Sequence, residues 1–214
     1  MYDTVIFDLD GTLLNTLEDL RDSANYALES NGYPVRTLDE VRRFVGNGVR
    51  KLMERALPHQ VDEREFEKIF AVFKEHYKIH CNDKTGPYEG IMDLLKELHV
   101  RGIKMGIASN KMKPAVLALN EQYFQGLIQD AAGVDEGIAP KPDPFMVEAM
   151  IKELNSDKEH TLYVGDSQVD VETAKRVGLD MVTVLWGFRD RAELEEAGAQ
   201  NFIEKPMELL KYLD

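Results

Sequence analysis

The chain has 214 residues, 43% of them hydrophobic and 30% charged, enough for one large domain or a domain with a smaller insert. Its 26 basic and 39 acidic residues leave a net charge of −13, which argues against a nucleic-acid groove or an anionic membrane surface as partner. The single cysteine, Cys81, excludes an intrachain disulfide and fits a reducing compartment.

The N-terminus opens on a strand, without the basic and apolar regions of a secretory leader. No apolar run approaches the roughly 20 residues needed to cross a bilayer, so the expected location is the cytoplasm. That first strand, Val5-Ile6-Phe7, runs directly into Asp8-Leu9-Asp10-Gly11-Thr12. Two carboxylates crowded at a strand end repel and lose hydration; they need a cation, a shared proton or full exposure to solvent. In open α/β folds that strand end is also where ligands bind. The plain alternative is a strand followed by an acidic Asp-Gly turn.

After Thr12 the pattern is purely helical. Leu17, Leu20, Ala24, Ala27 and Leu28 repeat at helical spacing until Gly32 and Pro34. A second helix follows Thr37 and stops near Gly46-Asn47-Gly48, a third runs through Leu52, Met53 and Ala56, and a fourth carries Phe66, Ile69, Phe70, Phe73 and Tyr77. From Gly86 strands and helices alternate, as in a parallel sheet covered on both faces. The expected order is helix Ile91–His99, strand Ile103–Ala108, a helix through Val116 and Leu119, and an extended piece near Leu127–Ala131. Helix Phe145–Leu154, strand Thr161–Val164, helix Val169–Val177, strand Met181–Leu185, helix Ala192–Ala197, strand Asn201–Ile203 and a last helix complete it. The expected fold is α/β: a Rossmann-like, doubly wound parallel sheet of residues 1–14 and 83–214, interrupted after its first strand by a small all-α cap of residues 15–82. An insert at that point is expected to lie over the Asp8/Asp10 strand end and to exclude water from it.

Three later segments also sit at strand ends. Ser109-Asn110 opens a helix in this reading, offering either an N-cap or an anion site made of a hydroxyl and backbone N–H groups. Lys141 lies among Pro140, Pro142 and Pro144, which hold the loop stiff and extended, so its ammonium is either a solvated charge or a fixed partner for an anion. Asp166 and Asp170 follow the strand ending at Val164; they either complement a helix dipole or converge with Asp8 and Asp10 on a cation, and an oxygen-only acidic site suits Mg²⁺.

Asp8-x-Asp10-Gly11-Thr12, Ser109-Asn110, Lys141-Pro142-x-Pro144 and Gly165-Asp166-Ser167-x-x-Asp170 resemble, in order, the four motifs of the haloacid dehalogenase superfamily. The resemblance covers nearly the whole chain, because the helical insert is similar to that superfamily's small cap. Val45-Gly46-Asn47-Gly48 with Arg55-Ala56-Leu57, and Trp186-Gly187 with Ala197-Gly198-Ala199, look like phosphoglycolate phosphatases and their near relatives. The resemblance implies that Asp8 is a nucleophile forming an aspartyl-phosphate and that Asp10 is the general acid and base. It implies that Asp8, the Asp10 backbone carbonyl and Asp166 bind Mg²⁺, with Asp170 supporting them. Ser109, the Asn110 amide and Lys141 would hold the phosphoryl oxygens.

The implied activity is Mg²⁺-dependent hydrolysis of a small anionic phosphomonoester, with 2-phosphoglycolate the expected substrate. A pyrophosphatase or sugar-phosphate phosphatase is the runner-up. A β-phosphoglucomutase-like phosphotransferase is disfavoured, because Leu20 and Val49 stand where such mutases carry a histidine and an arginine. A non-enzymatic phospho-acceptor module is the remaining alternative. Asn15 replaces the aspartate common in relatives, a hinge detail bearing on substrate class. Gly46-x-Gly48 lacks the third glycine of a dinucleotide fingerprint and is no cofactor loop. Arg43, Asn47, Arg50 and Lys51 in the cap are candidates for the substrate's distal group. His76 and His80 share a helix face beside Cys81 but lack a fourth zinc ligand, and Trp186 is expected in the core. No nucleic acid or membrane partner is expected, and the chain should be a monomer or homodimer.

Overall fold

A computed structural model describes residues 1–58 and 61–213. Two compact units divide it, Met1–Leu14 with Pro87–Asp214 and, between them in sequence, Asn15–Gly86. The first is built on a six-stranded sheet: β1 (Thr4–Phe7), β4 (Lys104–Met112), β5 (Asp130–Val134), β6 (Thr161–Gly165), β7 (Asp180–Val184) and β8 (Phe202–Ile203). The chain leaves and re-enters this unit in β2 (Leu14–Asn15) and β3 (Gly86–Pro87), which pair as a separate two-stranded sheet.

The large sheet runs β5-β4-β1-β6-β7-β8, with every pair parallel. Numbered by their own chain order the strands read 3-2-1-4-5-6, the doubly wound order whose ligand crevice lies where the winding reverses, at the C-terminal end of the first strand. β1 sits there, in register with β4 on one side and β6 on the other. Its residues are buried throughout, as a central parallel strand requires. Val5 and Phe7 join one core cluster and Ile6 the other, so the period-two alternation divides the strand between the two faces. The first face is covered by α5 (Ile91–Val100) and α6 (Lys113–Phe124), through Leu94, Leu98, Val116 and Leu119. The second is covered by α7 (Phe145–Glu153) and α8 (Gln168–Val177), through Val147, Met150, Ala174 and Val177. α9 (Arg191–Glu196) precedes β8.

The fold departs from the sequence reading at four places, two of which, in β4 and the proline loop, carry site residues. β4 does not stop at Ala108 but continues to Met112, so Ser109 and Asn110 lie in a strand and not at a helix N-terminus. The extension exists because Met112 pairs with Val134 of β5 across an irregularity that begins after Ala108. Gly133 makes room for it: a Cβ there would stand 2.6 Å from the Lys111 carbonyl oxygen. β5 itself begins at Asp130 because Leu127 and Ile128 are drawn into the end of α6 by hydrogen bonds to Phe124. The proline loop turns instead of running extended, closed by Asp143 N–H donating to the Pro140 carbonyl. The last helix is a 3₁₀ helix, Pro206–Tyr212.

The second unit contains α1 (Leu17–Ser30), α2 (Leu38–Phe44), α3 (Val49–Ala56) and α4 (Glu63–His80), and α1 packs on α4. Leu20, Ala24, Ala27 and Leu28 of α1 are buried, as are Phe66, Ile69, Phe70, Phe73 and Tyr77 of α4. Thr37 and Glu40 form a capping box at α2, and Asp62 caps α4. The buried Asp19 carboxylate accepts from the Lys84 and Thr85 N–H groups and the Thr85 hydroxyl, joining the first turn of α1 to the end of the unit.

Candidate active site

β1 delivers Asp8 because its N–H continues the ladder, donating to the Val164 carbonyl at 2.9 Å. The chain then turns tightly, with the N–H groups of Thr12, Leu13 and Leu14 all donating to the Leu9 carbonyl. Gly11 has φ +92°, and a Cβ on it would come within 2.4 Å of the Asp166 Oδ2, so only glycine fits. Trp186 packs on the core and donates from Nε1 to the Thr12 carbonyl at 2.9 Å, steadying the same turn.

β6 ends beside β1 and delivers Asp166 and Asp170. Ser167 caps α8, and Asp170 completes a capping box: its Oδ2 accepts from the Ser167 N–H and, at 2.6 Å, from the Ser167 hydroxyl. Its Oδ1 accepts from Lys141 Nζ at 2.8 Å and from the Tyr163 hydroxyl at 3.0 Å. Asp170 is thus both a helix-cap residue and a member of the acidic cluster. Asp166 is held by the Phe188 N–H at 2.7 Å and by the Thr12 hydroxyl.

Lys141 reaches the cluster from the proline loop. Asn110 fixes it through a pair of reciprocal bonds, its Oδ1 accepting from the Lys141 N–H at 2.7 Å and its Nδ2 donating to the Lys141 carbonyl at 2.9 Å. From there Lys141 Nζ donates to Asp8 Oδ1 at 2.7 Å, Asp170 Oδ1 and the Tyr163 hydroxyl. The Asn110 side chain therefore orients the lysine; any part it takes in anion binding falls to its backbone. Ser109 is buried, and its hydroxyl accepts from the Lys111 N–H at 3.2 Å. The Asp10 carboxylate stands apart from the cluster, its Oδ1 accepting from Lys111 Nζ at 3.1 Å.

Carboxylate oxygens of Asp8, Asp166 and Asp170 lie within 4.8 Å of one another, and all three residues are buried. Were all three ionised, the Lys141 ammonium beside them would leave the cluster with excess negative charge, only partly offset by Arg189 near Asp166. The electrostatics register this excess. Burial pushes the Asp8 carboxyl well above the ordinary range, against the pull of Lys141 and with Asp170 and Asp166 adding to the rise. Burial, with Asp170, pushes Asp166 up to about 7. Burial opposes the Lys141 ammonium, but Asp170 and Asp8 outweigh it and hold its pKa well above the usual lysine value. A buried, acid-rich set of hard oxygen donors fits a divalent, oxygen-seeking ion such as Mg²⁺.

Sequence reading overlooked Lys111, Tyr163 and the Phe188 main chain. Tyr163 gave no signal apart from an apolar strand; pairing of β6 with β1 sets it beside Ile6, and its hydroxyl accepts from Lys141 at 2.9 Å. Lys111 could have been found, since a lysine directly follows Ser109-Asn110.

The four cap candidates lie in the helical unit, each engaged locally. Arg43 pairs with Asp39, and Lys51 with Glu54. Asn47 accepts from Arg55 at 2.8 Å. Arg50 pairs with Glu54, Glu63 and Glu67 and lies over the Phe66 ring. His76 and His80 stack on each other; their Nδ1 atoms face the Ser23 hydroxyl and Asp83.

Over residues 5–184 the sequence matches the haloacid dehalogenase-like hydrolase family. A phosphoglycolate phosphatase of Mesorhizobium japonicum is 36% identical over 197 residues, spanning 87% of this chain and 84% of that protein. The phosphoglycolate phosphatase of Aquifex aeolicus is 30% identical, spanning 98% of this chain and 96% of its own. A solved structure from Lactobacillus delbrueckii subsp. bulgaricus superposes with a TM-score of 0.94 at 33% identity, covering 99% of this chain and 98% of that one.

Proposed function

The chain belongs to the haloacid dehalogenase-like hydrolases, and from that membership we propose that it is a phosphatase hydrolysing a small anionic phosphomonoester, 2-phosphoglycolate, through an aspartyl-phosphate on Asp8. The observation that carries the chemistry is the buried Lys141 ammonium bridging Asp8 and Asp170 beside Asp166, at the crevice where the sheet reverses its winding. The substrate rests on the names of the relatives, phosphoglycolate phosphatases at 36% and 30% identity.

Asp8 attacks phosphorus; its carboxylate oxygen bonds to phosphorus as the bond to the substrate's alcohol oxygen breaks. Asp10 gives its proton to the departing oxygen. It then takes one from the water whose oxygen displaces Asp8, releasing inorganic phosphate. Lys141 neutralises charge on the phosphoryl oxygens as it shifts between nucleophile and leaving group, and the Ser109 hydroxyl and Asn110 backbone amide donate to the same oxygens. Asp8, the Asp10 carbonyl and Asp166, with Asp170 in support, would hold Mg²⁺, which when bound supplies the positive charge that lets an anionic nucleophile approach an anionic phosphate. The helical unit is proposed to act as a cap that excludes water during the first transfer.

A phosphate-release panel with Mg²⁺ tests the assignment. It should contain 2-phosphoglycolate, pyrophosphate, hexose phosphates and nucleoside monophosphates. A preference of about 100-fold for 2-phosphoglycolate, about 2.7 kcal/mol of discrimination, is expected. Asp8→Asn should abolish turnover while leaving the fold intact; activity within about tenfold of the parent would remove Asp8 as the nucleophile.

A further inference from the structure

The paired aspartates of the first strand end are served by different lysines. Asp8 is bonded by Lys141 at 2.7 Å, whereas Asp10 is bonded by Lys111 at 3.1 Å. The Lys111 side chain is only 2% exposed and that of Asp10 17%, so the pair is set into the protein. A lysine is rarely sealed in this way unless a specific partner requires it.

Its placement is built by the backbone. Were β4 to end at Ala108, as its apolar run suggests, Lys111 would enter the following helix. The extended β4 instead carries Lys111 past the end of β1, whose pairing with β4 stops at Phe7 and Ile107, along the irregular pairing with β5 that ends at Met112 and Val134. Gly133 is the residue of β5 that allows this, since a side chain there would strike both the Lys111 carbonyl and the Lys113 backbone. The Lys111 N–H is then fixed by the Ser109 hydroxyl, so the segment that contributes Ser109 also aims Lys111 at Asp10.

We propose that Lys111 is a positioning residue for the general acid–base Asp10: it holds Oδ1 so that Oδ2 is presented to the oxygen of the leaving alcohol. The proposal rests on the acid–base reading of Asp10 given above. A carboxyl group free to rotate would offer its proton along many directions, and catalysis by a positioned acid falls steeply with misalignment. In the step concerned, the phosphorus–oxygen bond breaks with its electron pair going to the alcohol oxygen, and the proton moves from Asp10 Oδ2 to that oxygen. In the second half the same Oδ2 takes a proton from water as water oxygen bonds to phosphorus and the Asp8–phosphorus bond breaks. Lys111 neither gains nor loses a proton in either half.

The test compares leaving groups. An alkyl phosphate such as 2-phosphoglycolate needs its departing oxygen protonated, whereas p-nitrophenyl phosphate releases a stable anion and needs an acid far less. kcat/KM, which reports transfer to Asp8, is measured for both substrates on the parent, Lys111→Met and Asp10→Asn, together with the Ki of inorganic phosphate. Lys111→Met should lose at least about tenfold more on 2-phosphoglycolate than on p-nitrophenyl phosphate, a fraction of the about 10²–10⁴ that a general acid supplies. The Ki of phosphate should move by less than about threefold, since phosphate binding does not use Asp10 as an acid. Lys111→Gln, which keeps a neutral donor, runs in parallel and serves as the test if Lys111→Met does not fold. Equal losses on the two substrates, with Asp10→Asn still discriminating between them, overturn the positioning role and leave the acid–base reading standing. A loss expressed in the Ki of phosphate overturns it in favour of direct substrate binding. If Asp10→Asn itself loses equally on both, the acid–base reading falls and the proposal with it.

Discussion

In the metal-free protein, Asp166→Asn should remove a weakness that the wild type acquires as pH rises. Burial, reinforced by Asp170, raises the Asp166 carboxyl from 3.8 to about 7 despite the Phe188 N–H and the charges of Arg189 and Lys141. The unfolded chain gives up this proton near pH 4, while the folded chain keeps it until about pH 7. Within that window the folded state binds more protons, so its stability falls as pH rises, and the full cost remains above pH 7. A span of about three pH units at about 1.4 kcal/mol each amounts to about 4 kcal/mol. At about 2–4 °C per kcal/mol for a chain of this length, the wild type should lose about 8–16 °C relative to Asp166→Asn.

Thermal melts of EDTA-treated protein at constant ionic strength, from pH 4 to pH 8, measure the difference. His76, whose pKa is lowered by burial and by His80, contributes with the opposite sign, but both proteins carry it and the comparison cancels it. Asparagine retains one oxygen to accept from the Phe188 N–H, and its amide nitrogen can donate to the Thr12 hydroxyl where Asp166 accepted from it, so the variant loses the charge and changes only the longer of the two contacts. Adding Mg²⁺ at pH 8 should restore the wild type and leave Asp166→Asn unmoved. Parallel melting curves for the two proteins across the whole range would refute the charge excess assigned to the acidic cluster.

Two further outcomes follow from the same geometry. Lys141→Met leaves the Asp8 and Asp170 carboxylates buried without their shared cation, which should cost about 3–5 kcal/mol in urea unfolding and about 10²–10³ in phosphate release. A loss under about 1 kcal/mol would show that the pair is not buried as described. Gly187→Ala would place a Cβ 2.3 Å from Asp166 Cβ and 2.6 Å from the Gly11 carbonyl oxygen. It should destabilise by about 1–3 kcal/mol and raise the Mg²⁺ concentration giving half-maximal activity, and an unchanged Mg²⁺ titration would contradict it.

The acids of the site were legible because each sits where an apolar run meets a polar turn: Phe7 before Asp8, and Val164 before Gly165-Asp166. Their roles still come from resemblance; the spacing itself shows only acids at strand ends. What stayed hidden depends on pairing between distant segments. Nothing local to Ser109-Asn110-Lys111 says that β4 continues, because the extension is decided by Gly133, more than twenty residues later. Tyr163 reads as one more residue of a buried strand until β6 is laid beside β1. In the helical unit, resemblance to relatives whose cap loops reach into the site made Arg43, Asn47, Arg50 and Lys51 candidates for the substrate's distal group. A long basic side chain among many carboxylates satisfies itself locally, as Arg50 does with Glu54, Glu63 and Glu67.

The two lysines also differ in what they can offer a phosphate. An ammonium has three donors, and those of Lys141 are all engaged, by Asp8 at 2.7 Å, Asp170 at 2.8 Å and Tyr163 at 2.9 Å. For Lys141 to hold a phosphoryl oxygen, one of these bonds must be exchanged. Asp170 Oδ1 has a second donor in the Tyr163 hydroxyl, so releasing Lys141 would not leave it bare, but its charge is buried and strongly attracted. With Asp8 as the proposed nucleophile, its bond is the one that would weaken as the reaction proceeds, because its carboxylate would lose negative charge on bonding to phosphorus. On that proposal the exchange that gives Lys141 to the phosphoryl group would be driven by the attack itself, making its stabilisation greater in the transition state than in the ground state. On the proposed roles Asp10 would undergo no such loss of its partner: Lys111 would stay bound to one oxygen while the other handles the proton, aiming the same carboxyl for both halves of the reaction.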